Sequence, residues 1–438
     1  MILQFSIPLC LGYLFQQLYS MVDTVIVGRY VGEDALAAVG STGAISFLVM
    51  GFVMGVSSGF AVITSQRFGA EDPEGVRRSV GTSIWLCVII TLVMTLLSVL
   101  TARPLLRLMN TPANIMEDAA SYIIIIYLGI GATIYYNAVS SILRALGDSR
   151  TPLYFLILSS FLNIGLDLLF ILQFSAGVAG AAWATVISQL ISAALCTFYA
   201  SKKYSILWLK KEDFQLQWHT CWAHLRIGLP MALQFSVTAI GVMVVQGALN
   251  LFGSTVIAAY TAASKVEMLV TQPFNALGTT MATYCGQNRG AGSFRRIRQG
   301  VRISVIFTLA TCVIAAGINL LLGQAITSLF LENPNPEVLQ YSQQYLNTIA
   351  IFYPLLGILF LFRNGLQGMG EALMPFLGGV GELAARFVVA TLLPPVMGYL
   401  GICLASPAAW LIPVILLVPR YFVLMWGRKD EAPMSLRL

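Results

Sequence analysis

The sequence predicts an all-α polytopic membrane protein with twelve transmembrane helices in two six-helix lobes. Three observations predict it. Of 438 residues, 58% are hydrophobic and only 10% charged, against roughly 25% charged in soluble domains, which excludes an ordinary water-soluble enzyme. The chain also contains twelve apolar stretches long enough to cross a hydrocarbon core, for which a helix needs about 20 mainly apolar residues. Finally, the second half repeats the first, six stretches to each copy.

The spans follow from where Gly, Pro and charge interrupt the apolar runs. The first, 4–28, runs through Pro8 to Gly28-Arg29. The second, 36–64, ends at the Gln66-x-x-Gly69-Ala70 turn, and the third, 79–101, lies between Arg77-Arg78 and Arg103. The fourth, 118–143, stops at Arg144 and Gly147. The fifth, 152–173, opens on Pro152, and the sixth, 178–200, lies between Gly177 and Lys202-Lys203. The second copy gives 226–252, 256–285, 301–323, 341–366, 374–395 and 398–426. Its landmarks recur in order. Pro8 answers Pro230, and Gln66-x-x-Gly69-Ala70 answers Gln287-x-x-Gly290-Ala291. Gly147 with Pro152 answers Gly370 with Pro375, and Gly177-x-x-Gly180 answers Gly398-x-x-Gly401. The offset stays between 221 and 223. The expected organisation is an N-lobe over 1–201, a cytoplasmic interfacial linker over 202–224, and a C-lobe over 225–438 with a short tail. A duplicated six-helix half is a design in which transporters place a substrate site between two bundles.

Orientation follows from Lys and Arg, which are in excess in cytoplasmic loops. Of the 25, 20 fall in the even-numbered connections, counted with the span ends that border them, or at the C-terminal end. The odd-numbered connections hold Arg29, Arg103 and Arg107, and Lys265 and Arg386 lie within spans. Both termini are therefore expected in the cytoplasm, with the protein in the cell (inner) membrane. The net charge of +6 sits in those loops, beside anionic lipid headgroups, and implies no nucleic-acid partner. The seven cysteines are scattered without metal-ligand spacing, and both histidines, His219 and His224, fall in the linker, read as solvated. No cofactor is expected, and no metal other than Na⁺ as a coupling ion; no cleavable signal is visible, so the first helix serves as its own insertion signal.

Ionisable groups inside a spanning helix are costly unless paired or hydrated, which makes them the functional candidates. They are Asp23, Asp167, Lys265, Glu267, Glu382 and Arg386. Asp23 has no cation near it in sequence. Asn163 and Asp167 are four apart, on one face of the fifth helix, and Thr185 adds a hydroxyl from the sixth. This all-oxygen set suits Na⁺ or a shared proton, although Asn163 and Asp167 also suit plain interhelical hydrogen bonding. Glu382 and Arg386, four apart with the acid N-terminal, read as an ion pair with a structural or gating role. Lys265 and Glu267 diverge on their helix and must find partners elsewhere.

Several segments together resemble the multidrug and toxic compound extrusion (MATE) family, in its bacterial DinF-like branch. They are Pro8, Gln16-Gln17-Leu18-Tyr19, Val22-Asp23-Thr24-Val25-Ile26-Val27-Gly28-Arg29, Gln66…Gly69-Ala70, Arg144-Ala145-Leu146-Gly147-Asp148-x-x-Thr151-Pro152, Leu162-Asn163-x-x-Leu166-Asp167 and Gly286-Gln287-Asn288-x-Gly290-Ala291. The resemblance spans essentially the whole chain. It implies two lobes related by a pseudo-two-fold along the membrane normal, opening a central cavity alternately inward and outward. It also implies export of cationic or amphipathic organic compounds in exchange for H⁺ or Na⁺, by a functional monomer. The family's N-lobe cation site falls on Asp23, Tyr19, Asn163, Asp167 and Thr185. Substrate contacts are expected at Tyr135, Tyr136, Asn137 and Gln234. The acids that other branches carry in helices seven and ten have no counterpart in Leu229–Leu251 or 351–362. The chain starts closer to Pro8 than is usual in the family, so an internal start is expected. Two rivals are a lipid-linked oligosaccharide flippase of the same superfamily, which needs more basic side chains in its cavity, and an integral-membrane enzyme, which needs clustered catalytic residues.

Overall fold

A computed structural model describes residues 2–330 and 335–436. Arg437, counted above among the cytoplasmic cations, lies outside them, as does 331–334 in the ninth connection. Among the described residues every regular element is helical, since only helices and closed barrels satisfy backbone groups across hydrocarbon. In chain order they are α1 (Ile2–Tyr30), α2 (Glu33–Gly69), α3 (Pro73–Leu108), α4 (Met116–Leu128 and Ile130–Ala145), α5 (Arg150–Leu168) and α6 (Gly177–Lys203). The second copy gives α7 (Trp218–Leu249), α8 (Ser254–Gly290), α9 (Phe294–Ser328), α10 (Pro336–Ile351 and Tyr353–Gly368), α11 (Leu373–Leu392) and α12 (Tyr399–Cys403 and Ala405–Met425). Among the described residues eight helices are long and apolar enough to cross a membrane, or ten with each bent pair as one span. The remaining long helices are α1, which carries Asp23, and α8, which carries Glu267.

The duplication reappears in the backbone. Both bent spans break at equivalent places, α4 by 47° at Gly129 and α10 by 54° at Phe352. Positive φ angles recur at matched positions, 88° at Gly147 against 87° at Gly370, and 56° at Gly177 against 59° at Gly398. These turns need glycine because side chains rarely adopt that region. At the N-termini of α3 and α10, Asp72 and Asn335 accept from Gly75 N at 2.8 Å and from Glu337 N at 3.0 Å. Each is followed by a proline, whose missing N–H costs nothing there.

By internal contacts the chain forms two compact units, Leu11–Ala232 and Met1–Cys10 with Leu233–Leu438. The opening turns of α1 therefore belong with the second repeat, and those of α7 with the first. In the first unit α2 is central, burying Ala38, Ile45, Val49, Val53, Val56 and Phe60 at helical spacing against α3 and α4. Gly55 and Gly59 bring α2 so close to α7 that an added Cβ would lie 2.5 Å from Cα of Ala232 and of Gly228 respectively. The outer face of α3 exposes Trp85, Val88, Leu92 and Leu96, the composition of a lipid-facing surface. In the second unit the core gathers Phe274, Met281, Tyr345, Tyr353, Trp410 and Tyr421 around α8, α10 and α12.

The linker differs from expectation at its far end. The segment after Tyr204 forms two short 3₁₀ turns, and α7 begins at Trp218. His224 thus lies in a helix and is fully buried. Its Nδ1 faces the Thr220 carbonyl at 2.8 Å, so that nitrogen donates, and Nε2 meets the Ser79 hydroxyl at 2.9 Å. The solvated-linker reading is corrected for His224 because seven apolar residues among the eleven after Cys221 continue a helix that packs on α2 and α3. His219 is exposed.

Candidate cation-coupling site

Five residues marked in the sequence converge within the first unit. Asn163 and Asp167 are fully buried on α5, one turn apart as their spacing requires. The Asp23 carboxyl of α1 is in hydrogen-bond contact with that of Asp167. Asn163 Nδ2 donates to Thr185 Oγ1 of α6 at 3.3 Å, and Tyr19, one turn before Asp23, hydrogen-bonds the same hydroxyl. Thr185 in turn donates to the Ala181 carbonyl at 3.1 Å. The same helices, together with α2, carry an apolar cluster of Ile26, Val27, Ala35, Ile171 and Val178; Asp167 is fully buried and Asp23 half-buried. Directly after Asp167, α5 widens into a π-helical turn at Leu169–Gln173, a distortion that recurs at functional sites.

Two carboxyls in contact away from bulk water repel each other unless a proton or a cation is shared between them. The donor set of carboxylates, amide and hydroxyl is hard oxygen, fitting H⁺ or Na⁺ and offering nothing to a soft metal. Among the described residues no group of three or more His, Cys, Asp or Glu is placed to hold a metal ion. Tyr122, which sequence reasoning missed, stands on α4 within electrostatic reach of Asp23, Tyr19 and Asp167 and packs on the same apolar cluster. Its only sequence signal is its place one turn into α4 in a run of isoleucines.

The other marked residues go elsewhere. Tyr135 donates to Thr197 at 2.8 Å and lines an apolar cavity within its own unit. Tyr136 bonds the Pro152 carbonyl at 3.4 Å, and Asn137 bonds the Thr133 carbonyl of its own helix at 2.9 Å. Gln234 is buried, its amide oxygen accepting from Gln367 at 2.8 Å.

In the second unit Arg386 Nη1 lies 3.4 Å from Glu382, as the i, i+4 spacing predicts. Glu382 also contacts Arg363 of α10 directly. That corrects the placing of Arg363 among the loop cations and the count of two basic residues inside the membrane. The arginine follows an unbroken apolar run, Leu355 to Phe362, and α10 continues past it to Gly368. Glu267 accepts from Tyr345 at 2.7 Å, with Tyr260 edge-on to Tyr345. Lys265 points outward and is exposed.

A family profile described as MatE matches residues 8–169 and again 227–391, one match to each repeat. "Probable multidrug resistance protein YpnP" of Bacillus subtilis is 30% identical, over 84% of this chain and 82% of that one. "FAD transporter" of Shewanella oneidensis is 23% identical, over 93% and 90%. Among solved structures, "Outward-facing conformation of a multidrug resistance MATE family transporter of the MOP superfamily" superposes with a TM-score of 0.91 at 22% identity, covering 98% of this chain and 96% of that one. At that identity the likeness establishes the fold, twelve helices in all.

Proposed function

We propose, from the premise that the chain belongs to the MatE family of transporters, that it is a secondary antiporter. It exports cationic or amphipathic organic compounds across the cell membrane in exchange for H⁺ or Na⁺, with both termini in the cytoplasm. The observation that carries this reading is the contact between the Asp23 and Asp167 carboxyls, fenced by Tyr19, Asn163 and Thr185. A purely structural pair of acids would be costly in this setting, whereas a coupling site needs a group that gains and loses a cation between two conformations.

In this mechanism a cation arriving from outside neutralises the carboxyl pair and removes its charge repulsion. α1, α5 and α6 then repack. The π turn after Asp167 in α5 and the bend at Gly129 in α4, which packs on α6, are where the backbone absorbs the change. Coupling requires that cation and organic substrate favour different states, typically by about 1–3 kcal/mol. Tyr19 and Thr185 orient the pair, and Asn163 gives Thr185 a fixed donor.

The test is flux of fluorescent organic cations in proteoliposomes of known orientation, driven in turn by a pH gradient and by a Na⁺ gradient. Asp23→Asn is run beside the parent. Because one relative is named a FAD transporter, FAD is included as an anionic compound. Flux driven by one gradient and lost in the variant supports the antiporter and identifies the ion. Undiminished gradient-driven flux in Asp23→Asn would remove the proposed site, and absence of flux in the parent across all compounds would remove the proposed activity.

A further inference from the structure

Within the Leu11–Ala232 unit lies a cavity of about 360 Å³ that the coupling site does not use. It runs between α3, α4, α6 and the segment that follows α6, with Ile84, Val88, Ile134, Val139, Leu143 and Leu207 in its walls. That volume is at the small end of the range for ligand pockets. Of its five wall hydroxyls, all but that of Thr91 are already engaged. Ser83 donates to the Ser79 carbonyl at 2.8 Å, Tyr135 to Thr197 at 2.8 Å, Thr197 to the Ala193 carbonyl at 2.9 Å, and Ser201 to the Phe198 carbonyl at 2.9 Å. What the walls offer a ligand is alkyl and ring surface.

The cavity has two differing borders. Ile84 and Val88 are 40% and 45% exposed and belong to the lipid-facing side of α3, so this border meets hydrocarbon. At the other end, wall residues Ser201 and Leu209 run directly into exposed Lys202 and into Lys210 and Lys211. None of these three lysines has an ion pair among the described residues, although Lys202 lies over the Phe198 ring. The neighbouring basic residues are neutralised, Lys203 by Asp148, Arg77 by Asp213 and Arg78 by Glu74. One exposed acid, Glu212, opposes the three lysines. Trp208, exposed beside them, donates through its indole to the Ser201 carbonyl at 2.7 Å, the placement of a ring at headgroup level.

We propose that this cavity is a binding site for one anionic phospholipid. An acyl chain fills the space between α3, α4 and α6, and the phosphate is held by Lys202, Lys210 and Lys211. The apolar walls exclude a polar solute, and the unneutralised lysines at one end select a negative headgroup. The bound lipid ties the segment after α6 to the lobe it borders. This inference is independent of which compound or ion is transported.

The test is native mass spectrometry of the full-length protein in detergent, titrated with phosphatidylglycerol or with phosphatidylcholine of the same chains. The parent retains one phosphatidylglycerol with about a tenfold preference, the scale of a few basic groups acting on an anionic lipid. The triple variant Lys202→Gln, Lys210→Gln, Lys211→Gln changes only exposed side chains and brings that preference to near unity. Ala138→Phe, which fills the cavity, lowers retention of both lipids. A diazirine-tailed phosphatidylglycerol maps the site in case Ala138→Phe does not fold, and its label is expected on peptides of α3, α4 and α6. Equal retention of the two lipids by the parent overturns the proposal, as does label placed mainly on other helices.

Discussion

Glu382→Gln is expected to destabilise the second unit strongly. The carboxyl is buried and lies between two buried arginines, in direct contact with Arg363 and 3.4 Å from Arg386. Glutamine keeps the shape and removes the charge, leaving two guanidinium groups facing an amide in a site with little water. Removing one partner of a buried ion pair costs about 3–5 kcal/mol, because the other charge stays desolvated and uncompensated. Glu267 remains within electrostatic reach of Arg386, which places the expected loss near the lower end, about 3 kcal/mol. For a folding unit of roughly 150–250 residues that corresponds to a fall in Tm of roughly 6–12 °C. The assay is thermal unfolding in detergent micelles, read by the fraction surviving size exclusion after heating. The double variant Glu382→Gln, Arg363→Gln removes one of the orphaned cations and is expected to recover at least half of the loss. If Glu382→Gln unfolds within about 2 °C of the parent, less than the shift from 1 kcal/mol, water reaches the arginines and the buried-triad reasoning fails.

Three further outcomes follow from the same geometry. Asp148 lies in the turn before α5 and accepts from Arg150 N, Thr151 N, the Thr151 hydroxyl, Tyr204 and Lys203. Burial alone would raise its pKa, but these donors outweigh it and hold the carboxyl down to about 2. Its folded pKa is thus below the unfolded value near 3.9, so its contribution is complete above about pH 4 and disappears as pH falls through about 2. Asp148→Asn should flatten this part of the stability profile in acid titrations followed by tryptophan fluorescence. Gly59→Val forces α2 and α7 apart, since its Cβ would meet Gly228 Cα at 2.5 Å. A loss of about 1–3 kcal/mol or more is expected, and unchanged thermal stability would show that the helices separate freely. Asp167→Asn is expected to abolish ion-driven flux while leaving micellar stability at or above that of the parent, because a charge is removed from a buried contact. A large fall in Tm with residual flux would make Asp167 a structural residue instead.

The second unit shows where sequence reading reaches its limit. Spacing along one helix paired Glu382 with Arg386, and the structure agrees. Arg363 stands three residues inside the end of its span and counts with the following loop because hydropathy registers a charge as an interruption; its partner lies on another helix, nineteen positions further along. His224 was misplaced for the same reason: a short polar cluster looks like a linker until the opening turns of α7 are packed against α2 and α3. Tyr122 carries no signal beyond its place in an apolar run, since its importance comes from the carboxyls it approaches. Tyr135, Tyr136, Asn137 and Gln234 stand out by residue type, and type does not reveal the hydrogen bond that each makes within its own unit.

The sequence by itself determined the membrane class, the duplication, the helical elements and the acids worth attention. Composition, span length and i, i+4 spacing are local quantities, and a hydrocarbon solvent leaves the backbone few alternatives. The tertiary structure alone decided that Asp23 meets Asp167, that Tyr19 and Asn163 share one threonine, and that Glu382 serves two arginines. It also decided that the first turns of α1 and α7 pack with the opposite repeat. Those contacts join residues far apart along the chain, and which faces of which helices meet depends on how all the side chains pack together.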